Sequence, residues 1–204
     1  MSGRDPRFQN ELCDNSSIAT YLTEYADRLR AALLTVDAQA LDRARSMIED
    51  AARAGRRIYA IGNGGSAAIA DHLCCDLTKG THSDDHPVVD TTSLTANVAL
   101  YTALANDFGF ESVFARQVGY FGKQGDLLIA ISSSGNSPNI IAAVEAAHRL
   151  GVGTIGLSGF TGGGLKGAAQ VSLYVDANNY GIVEDTHQAL MHILAQYIAS
   201  GRDR

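Results

Sequence analysis

Cysteine is scarce in this sequence and poorly spaced for bridging. Cys74 and Cys75 are adjacent, and Cys13 stands alone near the N-terminus. That pattern excludes a disulfide framework and fits a reducing, cytoplasmic compartment. Also missing is any apolar run of the roughly 18 residues that a bilayer span requires. The opening Met1-Ser2-Gly3-Arg4-Asp5-Pro6-Arg7 has no apolar stretch behind it, so a soluble, unexported chain with no membrane partner is expected. Basic charge is short as well. Sixteen Lys and Arg against 22 Asp and Glu leave a formal net charge of −6. This argues against a nucleic-acid partner, because neutralising phosphates takes clustered Lys and Arg.

What is present points to one globular domain over residues 1–204, since 46% hydrophobic and 19% charged residues sit far from the composition of disordered chains. Apolar residues recur three and four apart over 18–36 and 38–54, among them Leu22, Tyr25, Leu29 and Leu33, which predicts two amphipathic helices. Gly55 is placed to close the second, so residues 1–54 read as an N-terminal helical extension. Strand-like apolar runs follow at 58–61, 87–91, 127–131, 154–157 and 171–175, separated by helical stretches at 66–78, 97–104, 137–150 and 182–200. Strands without polar alternation, interleaved with helices, predict an α/β three-layer sandwich around a five-stranded parallel sheet. The glycine-rich stretch 159–167 reads as a loop or short helix.

One device occurs twice. A strand, a glycine-containing loop and a helix run over 58–72 and again over 127–144, with Ser66 and Ser137 placed to cap the helices. The second loop, Ile131-Ser132-Ser133-Ser134-Gly135-Asn136-Ser137, gathers hydroxyls and free N–H groups at a helix start. It contains no Lys, yet a helix N-terminus binds a phosphate through its N–H groups and dipole without one. The first loop, Gly62-Asn63-Gly64-Gly65-Ser66-Ala67, also fits the loose dinucleotide pattern, with Asp90 as a candidate ribose acid. That reading leaves the serine loop unexplained.

Gly62-Asn63-Gly64-Gly65-Ser66, Asn106-Asp107-Phe108-Gly109-Phe110 and 131–137, in this order and spacing, closely resemble the sedoheptulose 7-phosphate (phosphoheptose) isomerases of the sugar-isomerase, or SIS, domain family. The resemblance covers residues 18 to 199 or so. It implies a single SIS domain, a homotetramer with active sites shared between subunits, and a phosphorylated sugar as substrate. Ser132, Ser134 and Ser137 match the family's phosphate contacts, and Asn63 and Ser66 match positions that touch the ligand. Gly64 and Ser133 lie in the same two loops and join them as substrate-binding candidates.

Aldose–ketose isomerisation moves a proton between adjacent carbons through an enediol, which calls for a base, an acid and often a metal. His72 and Asp76 are four apart on one helix face, near the first loop. The family has a His ligand and a Glu that serves as ligand and general base at these positions; His72 matches, and Asp76 is one methylene shorter. His192 aligns with the family's second catalytic His, ligand and acid, while Glu184 takes the place of a ligand Gln. The resemblance thus implies zinc, or another divalent metal, one per active site, held by His72, Asp76, Glu184 and His192. Glu184 and His192 lie eight residues apart, roughly 12 Å on a regular helix. Either the helix begins after Glu184 or one ligand comes from a neighbouring subunit. Asn97 stands where the isomerases have an Asp near the sugar. Cys75 reads as a buried packing residue and His187 as a packing or interface histidine. The competing function is a non-catalytic sugar-phosphate-binding scaffold that binds a protein partner; such a scaffold has no need to keep His72, Asp76 and His192 together.

Overall fold

The computed structural model describes residues 17–202. Helix α1 (Ile18–Leu33) starts where the Ser17 hydroxyl accepts the Thr20 N–H at 3.1 Å, and α2 (Ala38–Arg53) starts where Asp37 accepts from Gln39 N–H. Gly55, at φ +62°, closes α2: its own N–H bonds Ala52 and the Arg56 N–H reaches back to Ala51, the paired pattern of a Schellman cap.

The chain then runs through β1 (Ile58–Ile61), α3 (Gly65–Cys75), β2 (Thr91–Ser93), α4 (Val98–Phe108), α5 (Val113–Phe121), β3 (Leu127–Ser132), α6 (Pro138–Arg149), β4 (Gly153–Ser158), α7 (Gly163–Ala168), β5 (Val171–Tyr174) and α8 (Tyr180–Arg202). A π-helical turn, Asp76–Gly80, extends α3, and a 3₁₀ turn, Phe110–Ser112, precedes α5. All strand pairs are parallel and the order is β2-β1-β3-β4-β5, the five-stranded parallel sheet expected. Alternate strand residues serve two cores. Ile58, Ala60, Leu127, Ile129 and Ile131 pack under α2, α3 and α8, whereas Tyr59, Ile61, Leu128 and Ala130 pack under α5, α6 and α7. Burial on both faces is why these strands read as continuous apolar runs.

Three expectations shift. The strand expected at 87–91 is β2 at Thr91–Ser93: Pro87 has no N–H to give, Val88 is half-exposed and only Val89 reaches the core. Helix α5 was not anticipated; its buried stripe of Val113, Phe114, Gln117 and Val118 spans barely two turns. Asp90 precedes β2, and its carboxylate accepts from Arg57 Nε at 2.9 Å while its carbonyl accepts from Ile58 N–H. It therefore lies at the strands' amino ends, away from the glycine loop, and the ribose role is excluded.

From β1 the chain moves outward to β2, and from β3 it moves the other way. The crevice between β1 and β3 is the switch point where open parallel sheets take ligands, beyond the strands' carboxyl ends. The two echoing loops leave those two strands.

Candidate active site

A cavity of about 180 Å³ lies at this crevice. Asn63 and Ser66 come to it from the loop after β1 and the first turn of α3, Ser132, Ser133, Ser134 and Ser137 from the loop after β3, and Tyr180 and Glu184 from the start of α8. The loops are tied together by Asn63 and Asn139, whose side-chain amides exchange hydrogen bonds of 2.9 Å each way. The Ser132 and Ser137 hydroxyls are 3.2 Å apart, and Ser134 Oγ accepts the Asn136 N–H at the same distance, which curls the loop towards α6. Gly135 permits that curl: its φ is +68°, and a Cβ there would collide with the Gly162 carbonyl.

Ser66 is not the cap it was expected to be. Gly64 holds the N-cap position of α3 and Ser66 lies inside the first turn, buried, while Ser137 holds the N-cap position of α6 without a side-chain cap bond. Both helices thus point starts lacking a side-chain cap into the cavity, which suits an external anion.

Glu184 turns into the same cavity. Its Oε1 accepts from Ser133 Oγ at 3.4 Å, and its carboxylate fills the space in front of Gly65, where any Cβ would collide with it. Burial raises the Glu184 carboxyl above its ordinary value, the Ser133 hydroxyl draws it down, and the nearby charge of Asp185 raises it further.

A second constellation lies further along the same two helices. His72 sits near the end of α3, and Asp76 opens the π-turn one helical turn later. His192 comes from α8, and its Nδ1 donates to Asp76 Oδ2 at 2.9 Å, while His72 Nε2 is 3.5 Å from Asp76 Oδ1. The rings meet edge to face with centroids 5.0 Å apart. Behind them stands Gln188, one turn before His192. Its Nε2 lies 3.0 Å from His72 Nδ1 and 3.1 Å from His192 Nε2. Each ring therefore faces Asp76 with one nitrogen and Gln188 with the other.

His72, Asp76 and His192 each offer a ligand atom within 4.8 Å of the others'. Two imidazoles with one carboxylate suit a borderline divalent cation, so these residues fit a metal of the expected kind. Glu184 is outside this group. Helix α8 begins at Tyr180, so the alternative in which the helix starts after Glu184 is ruled out, and eight regular helical residues carry Glu184 to the serine cavity instead. Gln188 was missed because no motif marks it; the signal was its i, i+4 spacing to His192. Asn97 is exposed and caps α4, its side-chain oxygen accepting the Leu100 N–H at 3.1 Å. Cys75 is exposed rather than buried, and its neighbour Cys74 packs against the core. Asp71 accepts from Thr95 Oγ1, away from the histidine group. His187 is fully buried.

A family profile described as SIS domain matches residues 20–159. The phosphoheptose isomerase of Akkermansia muciniphila is 38% identical over 149 residues, which are 73% of this chain and 78% of that protein. Among solved structures, a phosphoheptose isomerase from Neisseria gonorrhoeae superposes with a TM-score of 0.81 at 31% identity, covering 90% of this chain and 97% of that one. Another, from Francisella tularensis, gives 0.82 at 30% identity, covering 90% and 96%.

Proposed function

The chain belongs to the SIS domain family, among the phosphoheptose isomerases, and from that premise we propose how its residues divide the work of a phosphosugar isomerase acting on sedoheptulose 7-phosphate. The observation that carries the reading is the Asp76 carboxylate set between two imidazoles on the helices that also wall the serine cavity. Ser66 and His72 are six residues apart on α3, roughly 9 Å. An open-chain sugar phosphate bridges such a span with its phosphate at one end and C1 and C2 at the other.

In this reading Ser132, Ser134 and Ser137, with the starts of α3 and α6, hold the phosphate, and Asn63, Gly64, Ser66 and Ser133 shape the cavity around it. Asp76 is the base. Its carboxylate takes a proton from C1 of the ketose and returns it to C2, passing through the enediol, while His192 gives a proton to the C2 carbonyl oxygen and takes one back from the C1 hydroxyl as the aldehyde forms. A zinc-like divalent ion held by His72, Asp76 and His192 would polarise that oxygen and stabilise the charge that develops on it. Glu184, facing Ser133, serves the substrate rather than the metal. Asn97 keeps a place in the proposal only as the helix cap that positions α4.

Assembly into a homotetramer with shared active sites belongs to the same proposal. Its support is the apolar surface this chain leaves exposed at Ile18, Leu22, Val98 and Tyr197. Among the described residues no helix is long and apolar enough to cross a membrane. A cytoplasmic location is proposed with the substrate, since a phosphate's charge keeps a sugar from crossing a bilayer.

The deciding experiment is turnover of sedoheptulose 7-phosphate by purified protein, with chelator and after zinc is restored. Turnover lost to chelator and recovered with zinc is expected. No turnover under either condition overturns the enzyme reading in favour of the non-catalytic scaffold.

A further inference from the structure

Gln188 has no counterpart in the chemistry assigned so far, yet its amide touches both histidines of the metal group. We propose that Gln188 is a positioning residue that fixes the tautomer and ring orientation of both His72 and His192, through the nitrogen each turns away from Asp76. This rests on the metal-isomerase reading above and adds to it a residue outside the expected ligand set.

The geometry is specific. Helical spacing puts Gln188 and His192 on one face of α8, and the α3–α8 contact brings His72 against that face, so one amide reaches two rings on two elements. A neutral imidazole has one N–H and one lone pair, and a side-chain amide has two N–H donors at one end and an oxygen with two lone pairs at the other. With the N–H of each ring facing Asp76, the Gln188 amino group can supply one donor to each remaining lone pair, which its Nε2 distances of 3.0 and 3.1 Å to the two rings allow. When the nitrogens facing Asp76 give their lone pairs to a cation, the ring protons move to the far nitrogens. The same amide, turned end for end, then offers one oxygen to both N–H groups.

Glutamine satisfies the rings in both conditions. A carboxylate satisfies only the second, and a hydrocarbon neither. Partners of this kind on the far nitrogen of a metal-bound histidine are worth roughly 10- to 100-fold in metal affinity. Glu184 cannot stand in, because its carboxylate is engaged at Ser133 and Gly65.

The test measures zinc affinity of the full chain by competition with a chromogenic chelator, together with two-bond ¹H–¹⁵N spectra of the histidine rings. Gln188→Leu is expected to bind zinc roughly 10- to 100-fold more weakly and to lose the single-tautomer ring signals. Gln188→Glu keeps the acceptor, matches the side chain in size and is expected to restore most of the affinity. Wild-type affinity in Gln188→Leu overturns the proposal, and so does a Gln188→Glu protein as weak as Gln188→Leu, which would mark a packing role. Zinc binding without turnover in the wild type sinks the isomerase reading alone, and the variant affinities still decide this one. A wild type that binds no zinc overturns both.

Discussion

His192 donates a hydrogen bond to Asp76 across 2.9 Å, although 116 residues separate them along the chain. An ionised carboxylate can only accept, so the imidazole N–H is the donor in this contact and the Asp76 oxygens keep their remaining lone pairs. The contact ties α8 to the turn that extends α3 within the proposed catalytic group.

Asp76→Asn keeps the size of the side chain and removes the proposed base. The protein is expected to fold, keep its assembly and bind phosphate, with turnover and exchange of the ketose C1 proton with solvent falling by roughly 10²- to 10⁴-fold. Asp76→Glu restores the family's residue and lengthens the reach by a methylene, and a displacement near 1 Å is worth about 100-fold. A site tuned to the shorter chain loses activity with Glu, and one that has decayed gains it. Full proton exchange in Asp76→Asn would show that another group is the base.

Ser134→Ala tests the cavity. Its hydroxyl holds the loop by accepting the Asn136 N–H and faces the space where a phosphate fits. Contacts to a non-reacting phosphate act alike in ground and transition states, so KM should rise several-fold with kcat little changed. Phosphate and substrate affinities equal to wild type would remove Ser134 from the binding site.

The sheet and most helices were legible because their signals are local. Apolar runs bounded by glycine marked β1, β3, β4 and β5, and the serine-rich and glycine-rich loops lie where those strands end. Helix α5 escaped because its stripe is short, and β2 was displaced because Pro87 and Val88 resemble strand residues although only Val89 is buried. The pairing of His72 with Asp76 follows from helical spacing, and the arrival of His192 came from the family motif. The partition of α8 was illegible. Which of Glu184 and Gln188 faces the histidines depends on the angle at which α8 crosses α3, and no local pattern records that angle.

Glu184→Gln should strengthen substrate binding at neutral and alkaline pH. A carboxylate beside Ser133 in the proposed phosphate cavity would repel its ligand, and an amide keeps the contacts without the charge. Because burial raises this carboxyl in the folded protein, the stability it contributes is present at low pH and is lost as pH rises through the folded value. The Gln variant is therefore also expected to have the higher Tm above that range. KM and Tm compared at pH 5 and pH 8 check both, and a variant with weaker substrate binding at pH 8 would mean that Glu184 accepts from a sugar hydroxyl instead.

His187 gives the protein an acid-sensitive point outside the group around Asp76. Its side chain is fully buried, neither ring nitrogen has a partner of normal hydrogen-bond geometry, and burial lowers its pKa from 6.5 to about 4. The neighbouring Ser158 backbone favours the protonated ring slightly, against that trend. Between these two values the unfolded chain takes up a proton that the folded chain refuses, so stability falls as pH drops from 6.5 towards 4 and the loss levels off below. At about 1.4 kcal/mol per pH unit the full loss is about 3 kcal/mol. His187→Leu removes the titrating ring, and its unfolding free energy should lack this component even though the buried Ser158 hydroxyl remains unpaired beside it. Urea unfolding of both proteins from pH 4 to pH 7 isolates the effect by difference, since the carboxylates elsewhere contribute equally to each. Parallel curves across that range would mean that His187 takes up its proton alike in the folded and unfolded chains, so that burial does not hold the ring neutral.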